Sequence, residues 1–141
     1  VRARFEPPAV LTHLHRVELV TAWELKVFRK EIPVELVEQA LGHLDEDIAA
    51  GIWEPPAYDL ADVFAQAESL GRRHVSSLGA RSLDILHVAA ARLLAKTEFV
   101  TADARQADLA KAVGMRVILL GSPAAKRPPP SSGSPTRRRR A

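Results

Sequence analysis

Apolar positions recur at helical spacing along most of the chain. Leu14, Val17, Thr21, Leu25 and Phe28 share one face of a helix that Thr12 is placed to cap and that runs to about residue 30. Pro7-Pro8 closes a short leader ahead of it. Pro33 suits the first turn of a second helix, whose stripe of Val34, Val37, Ala40, Leu41, Leu44 and Ile48 continues until Gly51 supplies a stop, so the two predict a helical hairpin. Ile52 and Trp53, before Pro55-Pro56, read as a very short extended piece. Asp59 then caps a third helix to about residue 73, with Leu60, Val63, Phe64, Ala67 and Leu70 inward, and residues 75–81, which include Ser76, Ser77 and Gly79, read as a loop.

The second half changes character. Ser82 is placed to cap a fourth helix over 83–95, in which Ile85, Leu86, Val88, Ala89, Ala90, Leu93 and Leu94 leave little polar surface, so it belongs in the centre of the fold. Residues 98–102 predict a strand, 104–113 a helix ended by Gly114, and 116–120 a strand of branched residues. Such a strand, helix, strand unit makes its strands parallel neighbours through a right-handed crossover, which fixes an α/β class with helices covering a short parallel sheet. From Gly121 onward the chain turns to proline, serine and arginine with no apolar periodicity, predicting one folded domain over 1–120 and a disordered basic tail over 121–141.

Charge sharpens that division. Of the 20 lysines and arginines, six (Lys126, Arg127 and Arg137 to Arg140) stand in the tail, where there is no acid; the other 14 face 17 acids, leaving residues 1–120 at −3. With no cysteine, a disulfide framework and a thiolate metal site are excluded, and a reducing cytoplasm is the expected compartment. No apolar run reaches the length of a membrane span and no signal-type apolar core follows Val1-Arg2-Ala3-Arg4-Phe5, so no membrane partner is expected. Gly-rich phosphate loops, histidine-rich zinc spacings and serine nucleophile elbows are also missing.

Three acids stand where ordinary roles compete with chemistry. Glu18 lies one turn from Leu14 and Ala22, on or beside the inward stripe, so it needs a partner; a nearby arginine is the ordinary one. Asp84 falls in the first turn of the central helix, where the macrodipole alone favours an anion, and His87 follows on the same face. Asp103 follows a strand and precedes a helix, an N-cap position that is also the carboxyl edge where open parallel sheets bind ligands, with Thr101 placed to orient it and Arg105 to meet phosphate or solvent.

The segments Arg81-Ser82-Leu83-Asp84-Ile85-Leu86-His87-Val88-Ala89-Ala90-Ala91 and Phe99-Val100-Thr101-Ala102-Asp103-Ala104-Arg105-Gln106 resemble the closing half of PIN-domain proteins. The resemblance rests on a buried Asp-x-x-His-x-Ala-Ala helix and a Thr-x-Asp after the next strand; residues 11–25 look like the family's helix that presents a glutamate, and the likeness covers roughly residues 9–120. What it implies is a three-layer α/β/α ribonuclease of the VapC-like toxin type, in which Glu18, Asp84 and Asp103 are catalytic and hold Mg²⁺ or Mn²⁺. Thr101, His87 and Arg105 would act behind them or toward substrate, RNA would be the substrate, a cognate antitoxin the inhibitor, and a homodimer a family expectation. Carboxylates gathered in one cleft repel one another unless a hard dication neutralises them, which makes that ligand set physically coherent.

One part of the family pattern has no counterpart. PIN-type chains begin with an apolar strand ending in an aspartate, whereas residues 1–10 contain only Glu6 as an acid and no apolar run before it. The chain is therefore expected to lack a central strand of its sheet, as from a reading frame begun too late or a truncated gene, with backbone groups and apolar surface left to be paired elsewhere. The competing expectation is a non-catalytic PIN-like remnant that binds protein or nucleic acid.

Overall fold

In the computed structural model, which describes residues 9–120, the chain enters through a two-residue strand, β1 (Ala9–Val10). It continues into α1 (His13–Phe28), α2 (Val34–Ala49), β2 (Trp53–Glu54) and α3 (Leu60–Leu78). Then follow α4 (Ser82–Leu93), β3 (Glu98–Thr101), α5 (Ala104–Ala112) and β4 (Arg116–Leu119). The expectations for a leader over residues 1–8 and for the basic tail lie outside the described residues.

Local chemistry starts and stops these elements. Thr12 and Asp59 cap α1 and α3 by accepting the backbone N–H groups of His15 and Ala61. Gly79 ends α3 at a φ of 65°, donating its N–H to the Val75 carbonyl at 2.8 Å, a conformation that costs glycine little because it has no Cβ. The helix therefore runs past residue 73 and absorbs Ser76 and Ser77, correcting the expected loop, because Val75 and Leu78 continue its inward face against the core. The fourth helix is capped by Arg81 rather than Ser82, which is its first helical residue.

α1 departs most from expectation. It buries no residue fully, and Val17, Leu25 and Phe28 of the predicted inward stripe are exposed, Phe28 by 83%. Of that stripe Leu14 is half-buried, and the other half-buried apolar positions are Leu19, Val20, Trp23 and Val27. With 3.6 residues per turn, a shift of two positions turns the helix by roughly 200°, so its two apolar stripes lie nearly opposite each other and pattern alone selects the wrong one.

The core lies in the second half. Val63, Ala67 and Leu70 of α3 meet Ile85, Val88, Ala89 and Ala90 of α4, with Leu109 and Ala110 of α5 and Met115 closing the cluster. The alanines let neighbouring backbones approach α4 closely, which is why α3 packs on one side of it and α5 on another. α1 and α2 pack on each other, bridged by Arg16 and Asp45 at 2.8 Å, and Val37 and Leu44 are their buried hydrophobics.

The strands are parallel, as a strand, helix, strand unit requires, but among the described residues they pair two and two rather than in one sheet. β1 sets Ala9 opposite Trp53 and Val10 opposite Glu54; β3 sets Glu98 through Thr101 opposite Arg116 through Leu119. The result is a mixed α/β fold. No described helix is long and apolar enough to cross a membrane.

Candidate functional site

A groove of about 1070 Å³ separates the two strand pairs. β1 and the turn into α1 form one wall through residues 9–12, and β3 forms the other through Glu98, Phe99 and Val100. α1 contributes His15, Glu18 and Leu19; α4 contributes His87, Ala91 and Leu94.

One short polar contact in the groove joins two residues 69 positions apart. His87, only 5% exposed, brings Nε2 to 2.7 Å from Glu18 Oε2. An ionised carboxylate offers only lone pairs, so Nε2 carries the hydrogen. Glu18, exposed rather than turned to the core as expected, is partnered by a histidine and not an arginine. The ring of His15 stacks on His87 with centroids 4.8 Å apart.

His15 also completes the cap of α1. Its backbone N–H donates to Thr12 Oγ1 at 3.2 Å, and the Thr12 backbone N–H donates to His15 Nδ1, also at 3.2 Å. A ring nitrogen that accepts must be unprotonated, so this reciprocal box needs the neutral imidazole. Although part of the ring reaches solvent, desolvation by the surrounding groove lowers the His15 pKa, the neighbouring His87 lowers it further, and Glu18 opposes both.

Asp84 is 6% exposed at the start of α4, and its Oδ2 accepts the Arg81 backbone N–H at 2.8 Å. It has the capping role that its position in the first turn favours. Asp103 caps α5: Oδ1 accepts the Arg105 backbone N–H at 2.7 Å, and Oδ2 lies 3.5 Å from the Arg105 guanidinium. The Arg105 N–H holds the Asp103 carboxyl below its ordinary pKa; slight desolvation opposes this, and the Arg105 charge adds to it. Thr101, 8% exposed, accepts the Asp103 backbone N–H at 3.0 Å and donates its hydroxyl to Gln106 Oε1 at 2.7 Å. Thr101 thus hydrogen bonds within the turn that carries Asp103, and Gln106 links that turn to the groove it lines.

The geometry brings Glu18 to His87 and Thr101 to Asp103; it reports no contact that joins Glu18, Asp84 and Asp103 to one another. Among the described residues, no group of three or more histidine, aspartate or glutamate side chains is placed to hold a metal ion. The donors are of the right kind for Mg²⁺ or Mn²⁺, yet each carboxylate is already engaged by a protein group, so these three as they stand do not fit a hard dication. Sequence reasoning missed His15 and Gln106. Helical spacing places His15 three residues from both Thr12 and Glu18, which was a usable signal; nothing local marks Gln106.

Comparison with protein-family models, with characterised proteins and with solved structures returns no match.

Proposed function

We propose that this chain is the larger part of a metal-dependent endoribonuclease domain of the toxin-antitoxin PIN type, cleaving RNA phosphodiester bonds. The observation that carries the reading is the joining of Glu18 and His87 across one groove, which Gln106, hydrogen bonded to Thr101 beside Asp103, also lines. Residues singled out on three separate stretches of sequence thus meet or are linked around a single concave surface, the usual setting of an active site. In this reading Glu18, Asp84 and Asp103 supply acidic groups, His87 positions Glu18, Thr101 positions Asp103, and Arg105 faces the phosphate backbone. A cognate antitoxin would act by covering the groove, and a homodimer belongs to the same reading.

The Mg²⁺ or Mn²⁺ that this chemistry calls for is not held by the three carboxylates alone, so at least one further acid has to reach the groove from outside residues 9–120. The test is RNA cleavage in the presence of Mn²⁺ by the protein expressed with its upstream in-frame sequence. Asp84→Asn and Asp103→Asn are each expected to lower the rate at least a hundredfold; cleavage indifferent to both substitutions removes the assignment. The separate engagement of Glu18, Asp84 and Asp103 by protein groups favours a second reading, a PIN-like binding module without catalysis, and complete absence of cleavage by every form would support it.

A further inference from the structure

We infer that the cationic segment following β4, led by Lys126 and Arg127, is an RNA-backbone arm anchored at the carboxyl edge of β3 and β4, where it holds a single strand beside Asp103. RNA as the partner rests on the ribonuclease reading; the place where it is held does not.

Strand register fixes where the arm starts. β3 and β4 run parallel with Thr101 opposite Leu119, so both strands end at the same edge. One residue further on, Leu120 donates its N–H to the Thr101 carbonyl at 2.8 Å, while the Thr101 hydroxyl accepts the N–H of Asp103 at 3.0 Å. Leu120 and Asp103 are thus held by one and the same residue, and the chain beyond Leu120 departs next to the acid. The edge is open, with Ala102, Leu119 and Leu120 all exposed.

Chain length keeps the first cations there. Lys126 and Arg127 follow Leu120 by six and seven residues, and seven residues span at most about 25 Å. Whatever path the segment takes, this pair stays within that radius, and such a tether raises its local concentration at the edge. Arg137 to Arg140 stand at least ten residues further along and are less confined.

Charge and composition say what the arm grips. In the turn after β3, Arg105 lies 3.5 Å from Asp103 and is committed to it, so the edge has little positive charge of its own to offer a phosphate. Residues 1–120 carry −3 and repel a polyanion, whereas residues 121–141 hold six cations and no acid. They also contain no aromatic side chain on which a base could stack, so the contact is with phosphates and is indifferent to base sequence.

The test titrates the isotope-labelled 141-residue protein with a short oligouridine at low salt, in EDTA so that no RNA is cut. RNA is expected to shift the amides of Thr101, Asp103, Arg105 and Leu120. The double variant Lys126→Gln, Arg127→Gln is expected to bind at least fivefold more weakly and to lose those shifts, whereas glutamine at 137–140 weakens binding and leaves the edge shifts in place. The arm is overturned if RNA binds without moving the edge amides, or if the double variant binds as tightly as the parent. It is also overturned if, without RNA, the double variant differs from the parent in the amides of α2, whose acids Glu35, Glu38, Asp45 and Glu46 would then be the arm's partner. Cleavage with Mn²⁺ is read separately: its absence alongside edge shifts removes the ribonuclease reading and supports the arm, while cleavage without edge shifts removes the arm alone.

Discussion

The box that caps α1 closes through His15, where such boxes ordinarily use glutamate or glutamine, and this makes the start of the helix sensitive to protons. Because the folded-state pKa of His15 is lowered below 6.5, the unfolded chain binds the proton more readily. The stability this neutral histidine contributes is full above pH 6.5 and is lost as pH falls through the folded-state midpoint. Denaturation by urea across pH 5 to 7.5 should show stability rising with pH over that window, and His15→Gln, which retains an acceptor but does not titrate there, should flatten the rise. His87→Ala removes the buried partner of Glu18 and should cost about 1–3 kcal/mol in the same measurement at pH 7.5, with His87→Gln recovering part of it. Helical position did not make the pairing of Glu18 legible: it put Glu18 beside a stripe that is mostly exposed, and a contact across 69 residues leaves no trace in local pattern.

Among the elements, legibility followed how one-sided each pattern was. α4, apolar nearly all round, and the β3, α5, β4 unit stand within a residue or two of where periodicity and caps put them, with the parallel pairing expected. α1 carries apolar residues on two faces, and only packing decides which is covered. This difference is measurable: Leu70→Ala, at a position with no solvent exposure, should cost about 2–5 kcal/mol, whereas Phe28→Ser should change stability by less than about 0.5 kcal/mol. A large loss at Phe28 would mean that the exposed stripe is covered in solution. β1 was unreadable because two residues are too few to show alternation, and its existence depends on the carbonyls of Ile52 and Glu54 waiting more than forty positions away.

For the whole molecule, charge and packing divide the chain differently. The six cations of residues 121–141 follow a body of opposite sign, so any affinity for single-stranded RNA should depend steeply on salt through the tail. Removing residues 121–141 should reduce the log-log salt slope by about 4, from six contacts at roughly 0.7 each; an unchanged slope would place the RNA contacts on the body instead. The candidate acids were legible as a set through their spacing, while their separate engagement with Arg81, Arg105 and His87 emerged only in three dimensions.

The concentration of core packing in residues 60–119 also bears on how the chain is made. The α1–α2 hairpin leaves the ribosome ahead of α3 to α5, yet Val37 and Leu44 are its buried hydrophobics, and His87, which holds Glu18, has not been synthesised. A nascent chain halted near residue 80 should therefore display a hairpin that proteases cut readily, and resistance should arrive only once α4 and α5 have emerged to give it something to dock on.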